Sequence, residues 1–161
     1  MLREATRSAK HLEMRDGYML DDPCFITWQR ENRVELDAGS QAWRAAVSGA
    51  THRGVQVQRA RVFSTPASDY LRFEYEYTTS LNQPAGEDVR WLPRRRSTAI
   101  ALPGNDFWLF DDETLLVLHF AGNGDWEGAE IDTRPAAIDL CREAFEAVWR
   151  QAVPHEDYSI V

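Results

Sequence analysis

The stretch Asp106–Phe120, DFWLFDDETLLVLHF, limits what this chain can fold into more than any other. Two apolar runs, Phe107–Phe110 and Leu115–Phe120, flank the polar Asp111-Asp112-Glu113-Thr114. Runs this short and this continuously apolar suit strands buried on both faces, and the acidic gap suits a tight turn. The reading is a hairpin at the centre of an α/β sheet. A sheet so apolar needs layers of helix to cover it, and the rest of the chain can be searched for them.

Downstream, Gly122-Asn123-Gly124 turns the chain into a third strand, Trp126–Ile131. The last helix is clear: Thr133 stands at the cap position and Pro135 in the first turn. Ile138, Cys141, Phe145, Val148, Trp149 and Ala152 then repeat at helical spacing until Pro154. Upstream, Ser40 is placed to cap a helix with the stripe Trp43, Ala46, Val47 and Ala50, stopped by Gly54. Val55–Phe63 reads as a strand and Val89–Leu92 as another. Between them Asp69–Leu81 fits two periods. Leu71, Phe73, Tyr75 and Tyr77 alternate as in a strand, while Tyr70, Phe73, Tyr77 and Leu81 form a helical stripe behind the cap Ser68. Helix is preferred, because two neighbouring parallel strands need a crossover to complete a βαβ unit. Phe25, Ile26 and Trp28 suggest a short helix after Asp21-Asp22-Pro23, and His11–Asp16 a short strand ending at Gly17. Residues 1–8 read as a loose, flexible tail, so a single α/β domain is expected over 9–158.

The 161 residues suffice for one domain with a sizeable core, and no apolar run approaches the ~20 residues of a bilayer span. The first twenty residues are too charged for a secretory signal, which points to the cytoplasm, where Cys24 and Cys141 are expected to be reduced. A net charge of −8 argues against direct, sequence-independent binding of nucleic acid. Of the 18 basic residues 17 are Arg, leaving Lys10 as the single candidate for any catalytic lysine.

No metal or cofactor is expected. His11, His52, His119 and His155 are scattered, without metal-ligand spacing, and the acidic residues around 106–127 match no calcium loop. Asp in a hairpin turn has a simpler role as a backbone acceptor. No Gly-x-Ser-x-Gly elbow and no phosphate-cradling glycine loop is present, so no catalytic residue is assigned. Arg94-Arg95-Arg96 reads as a solvated loop. The set that stands out is Glu13, Arg15, Arg59, Arg61, Tyr70, Arg72, Glu74 and Arg90. These residues lie in or beside strands and aromatics, where a charge must be paired or face a cavity. They form either a structural ion-pair network or a polar pocket for a small anionic ligand, which the fork of Arg suits.

The segments HLEMRDGY (11–18), GVQVQRARV (54–62), SDYLRFE (68–74), AGEDVRWLPR (85–94) and DFWLFDD (106–112), with the Trp149–Pro154 ending, resemble an actinobacterial family classed as a domain of unknown function. Its members are often encoded beside helix-turn-helix regulators. The resemblance implies a regulatory neighbourhood and offers no catalytic residues. The order of elements is also similar to the phospholipase D-like fold, with DFWLFDD in the strand leading to the catalytic motif. That chemistry uses His-x-Lys, and no histidine here is followed two residues later by lysine. The expected function is therefore a non-enzymatic regulatory or sensing module. Its expected partners are a helix-turn-helix regulator and a small anionic ligand, with a homodimer left open. The alternative is a divergent, phosphodiesterase-like hydrolase working through the Arg/Glu/Tyr set. A third reading is an interaction protein with exposed aromatics, although core packing accounts for most of the six tryptophans.

Overall fold

The structure is a computed structural model and describes residues 1–160. Its seven strands are β1 (Ser8–Glu13), β2 (Gln56–Phe63), β3 (Asp88–Pro93), β4 (Asp106–Phe110), β5 (Thr114–Phe120), β6 (Trp126–Asp132) and β7 (Val153–Pro154). They form one mixed sheet in the order β6-β5-β4-β1-β2-β3-β7. β1, β2 and β3 run parallel, and β4 joins β1 antiparallel to start the meander β4-β5-β6. The helices are α1 (Pro23–Glu31), α2 (Ala38–His52), α3 (Asp69–Tyr77), the short α4 (Gln83–Ala85) and α5 (Pro135–Gln151). A π-helical turn, Thr78–Asn82, joins α3 to α4.

Strand alternation gives the sheet two faces. Leu12, Ala60, Val62, Leu92, Phe107, Leu109 and Leu115 point to one, where Cys141, Ala144, Phe145 and Val148 of α5 cover them. The opposite face lies under α1–α4 and carries Ala9, Val57, Trp108 and Phe110 at one side, Phe63 and Trp91 at the other. All five residues of β4 are buried, as an apolar run between two helix layers requires. The expected single α/β domain is thus present, with β2-α3-β3 as its βαβ unit.

Several local expectations change. Asp37, not Ser40, caps α2 and accepts from the Ser40 amide at 2.7 Å, while Ser40 is buried in the first turn. The start of α5 has no side-chain cap, and Thr133 precedes the Arg134 cap position. Pro154 does more than stop α5, since it pairs with Arg90 in β7. The first eight residues are no loose tail. The Asp111 carboxylate accepts from the amides of Thr6, Arg7 and Ser8 at 2.9, 2.7 and 2.9 Å. Burial raises the pKa of Asp111, but the bonds from Ser8, Thr6 and Arg7 outweigh it and lower the value to about 2. Asp111 and Asp112 take φ of 53° and 62°, which Asp tolerates far better than a β-branched residue.

Beyond β7 the chain folds back under Trp91. The Trp91 indole donates to His155 Nδ1 at 3.0 Å, so that nitrogen must be unprotonated, and Nε2 faces Thr79 Oγ1 at 2.9 Å. Burial, with the Arg61 charge second, lowers the His155 pKa below its ordinary 6.5. The unfolded chain therefore takes up the proton first, and His155 contributes stability that is full above about 6.5 and declines as pH falls below it. Urea midpoints should drop between pH 7 and 5.5, and His155→Gln should flatten that slope. An unchanged slope in the variant would remove His155 as the cause.

Candidate functional site

Five of the eight singled-out residues meet between the sheet and α3. The parallel register sets His11 beside Arg59 and Glu13 beside Arg61, so two residues of each strand share the helix-covered face. Arg61 reaches Glu13 at 2.8 Å and Glu74 at 2.5 Å, and Tyr70 donates to Glu74 at 2.8 Å. Arg59 pairs with Glu13 and, at 2.8 Å, with Glu87. Trp43 and Trp108 lie 5.9 and 5.6 Å from the Arg59 guanidinium, and Trp91 lies 5.2 Å from that of Arg61. Such flat cation–aromatic contacts suit Arg over Lys.

Geometry accounts for the protonation states. Burial pushes the Glu13 carboxyl up, but Arg61, Arg59 and His11 outweigh it and hold the value well below the usual carboxylate range. Arg59 and Arg61 are moved further upward by their carboxylate partners against the opposing effect of burial. Burial and the Glu74 carboxylate keep the Tyr70 phenol protonated far above its ordinary value, as its donor role requires. The set is a network of paired charges, although Glu13 Oε2 and Arg61 Nε make no hydrogen bond within it. No member is left as a base or nucleophile facing a cavity.

The other three residues do not join it. Arg90 lies on the α5 face, stacked at 4.2 Å on Trp149. Arg72 is on the exposed side of α3. Arg15 follows the end of β1, donates to the Ala121 carbonyl at 2.6 Å and lies 5.7 Å from the Phe120 ring. Sequence reasoning missed Glu87, Asn82 and His11. Asn82 donates to Glu87 at 2.6 Å, while His11 meets Glu13 at 3.1 Å and stacks on Trp108 at 4.3 Å. The His-x-Glu and Arg-x-Arg spacings carried a usable signal, since two charges at strand period in buried strands must face one another. Glu87 had none, because only the turn after α4 brings it under Arg59.

A cleft opens where β1, β2 and β3 end. A cavity of about 730 Å³ and a neighbour of about 310 Å³ share Met14, Arg15 and Arg94. It lies outside the carboxyl ends of the three parallel strands, where open α/β sheets bind ligands. Phe25, Leu20 and Tyr70 give the larger cavity an apolar wall; Asp16, Asp69 and Asn123 add polar groups. Arg94, expected in a solvated loop, is instead anchored at the carbonyls of Met14 and of Val62, the latter at 3.1 Å. Asp106 lines the smaller cavity and accepts from the Tyr18 hydroxyl. Burial raises the Asp106 pKa despite that bond. Ser68 caps α3 at Leu71 and donates to the Asp16 carbonyl, so it is not a free nucleophile. Both cysteines are buried and unpaired. Among the described residues no group of three or more His, Cys, Asp or Glu could hold a metal ion, and no helix is long and apolar enough to cross a membrane.

This strand order and layering define a single α/β domain with a seven-stranded mixed sheet, and its fold is like that of a solved phospholipase D family member. Nuc of Salmonella typhimurium, a phospholipase D family member, superimposes with a TM-score of 0.54 at 12% identity, over 95% of this chain and 84% of Nuc, a likeness of fold alone. The chain belongs to the family described as a domain of unknown function (DUF6879), whose profile matches residues 1–160. The archaeal chromatin protein TrmBL2 gives a TM-score of 0.47 at 14% identity over 94% of this chain and 46% of TrmBL2, too slight a likeness to carry anything across. No curated protein matches.

Proposed function

We propose that this protein is a non-enzymatic regulatory or sensing module that binds a small anionic ligand in the cleft at the ends of β1–β3. In this reading it partners a DNA-binding transcription regulator, and it meets DNA through that partner, consistent with its net charge of −8. The observation that carries it is the cleft itself. Two arginines, Arg15 and Arg94, line both of its cavities beside an aromatic wall, while the buried arginines Arg59 and Arg61 are already paired with Glu13, Glu74 and Glu87. A divergent hydrolase built on Arg59, Glu74 and Tyr70 lacks comparable support, since those groups are spent on one another and do not line the cleft's reacting space, Tyr70 alone reaching its wall.

Calorimetric titration with inorganic phosphate, pyrophosphate, citrate and adenosine monophosphate tests the reading. At least one should bind in the micromolar range. Arg15→Ala should weaken it tenfold or more in protein that is still folded at the titration temperature, and Arg72→Ala, on exposed α3 surface, should not. Millimolar or weaker binding of every probe, or indifference to Arg15→Ala, would overturn it.

A further inference from the structure

We propose that the free edge of β6 is a docking strand for an extended, basic segment of a partner protein, in which apolar side chains alternate with Lys or Arg. This deepens the partner half of the function proposed above and does not depend on the ligand half.

Among the described residues β6 is hydrogen-bonded to β5 alone and ends the sheet, so no strand pairs its outer backbone groups. Its register with β5 is regular from Gly128 to Asp132; the irregularity lies beside Trp126. Over that regular stretch the two faces differ in chemistry. Ala129 and Ile131 stand opposite Leu118 and Leu116, on the face that α1–α4 cover further along. There Ile131 is 58% exposed and Trp126 48%, the helices having stopped short of the edge. On the other face stand Glu130 and Asp132, opposite Val117 and Leu115. Asp132 is engaged by Arg134, whereas the Glu130 side chain is 66% exposed and, among the described residues, forms one ion pair, with His119 at 3.3 Å, while the Arg134 charge stands near enough to feel it.

A strand added to this edge continues the same alternation. Its side chains on one face extend the apolar surface of Ala129 and Ile131, and those on the other come beside Glu130. Apolar-basic alternation satisfies both faces at once. A second copy of β6 does not, because pairing it with itself brings acidic residues together on one face, and like charges across a ladder are destabilising. The acidic face and the irregularity at Trp126 thus work as devices against self-pairing, and leave the edge open to a strand of opposite charge.

The test uses the full chain and three fluorescein-labelled probes: an eight-residue alternating Val-Lys peptide, its Val-Glu counterpart, and the Val-Lys peptide N-methylated at alternate amides. By fluorescence anisotropy the Val-Lys peptide should bind at least tenfold more tightly than either other probe. Glu130→Lys should reverse the preference between the Lys and Glu peptides. The Val-Lys peptide should also slow amide hydrogen exchange within Gly128–Asp132. Three results would overturn the proposal: equal affinity of the Val-Lys peptide for wild type and Glu130→Lys, no slowing at β6, or slowing there with protein concentration alone, which would assign the edge to a second copy. None of these outcomes touches the anion titration of the Arg15 cleft.

Discussion

Glu13→Ala should lower the stability of the protein by about 3–5 kcal/mol, the usual loss when one partner of a buried charge pair is removed. Glu13 is the carboxylate shared by Arg59 and Arg61, and its side chain is only 10% exposed. Without it the two guanidiniums, two residues apart on β2, keep only Glu87 and Glu74 and repel each other in a buried layer bounded by Trp91 and Trp108. Acid unfolding provides an independent reading. The Glu13 pKa is depressed in the folded state, so its stabilisation is complete above the ordinary 4.5 and is lost as pH falls below it. Wild type should therefore lose stability steeply below about pH 4.5, and Glu13→Ala should lose less over the same range. Urea unfolding across pH 3–7 measures both. A loss under 1 kcal/mol would mean that water enters and relaxes the network, and would return these residues to consideration as a ligand pocket.

Phe145→Ala should cost a similar amount, about 3–5 kcal/mol, for a different reason. Phe145 is 1% exposed and belongs to α5, the helix that covers the second sheet face. It shares one buried cluster with Leu12, Val62, Phe107 and Leu109, and its ring stacks on Trp149 at 5.3 Å. Its removal leaves a cavity that a helix fixed at both ends by the chain cannot close. Phe145→Leu, which keeps most of the volume, should lose clearly less. Equal losses in the two variants would show that shape, not volume, dominates at this position. The two predictions are separable, because the ion network and the α5 core lie on opposite faces of the sheet and should add in the double variant.

How far the sequence alone could be read is clearest in particular elements. The strand β4 and its turn were legible, because four apolar residues followed by Asp-Asp leave few alternatives. The helix α5 was legible for the same reason, through its periodic stripe. In α3 two periods overlapped, and the structure explains why. Tyr70, Phe73 and Tyr77 pack on Phe25 and Trp28 of α1, while Leu71 and Tyr75 face Trp91 and the returning C-terminal segment. A helix wedged between two apolar clusters carries apolar residues on more than one stripe, and therefore imitates strand alternation. The tie of residues 6–8 to Asp111 and the replacement of Ser40 by Asp37 as a cap were not legible, since each depends on which of several similar polar groups reaches the free amides.

Residue types and spacing by themselves determined the class of this protein: one α/β domain, an apolar central hairpin, a βαβ unit, and a set of arginines and carboxylates that had to be paired or face a cavity. They could not choose between those two fates. That choice belonged to the register of β1 on β2, which sets Glu13 beside Arg61, and to the turn after α4, which delivers Glu87 to Arg59. The cleft was equally a product of tertiary structure. Arg15, Arg94, Tyr70 and Asp106 come from four separate segments and converge only because the three parallel strands end together. Local pattern is set by neighbours three or four residues away, whereas a site is set by pairings across the whole chain, and only the folded sheet supplies those.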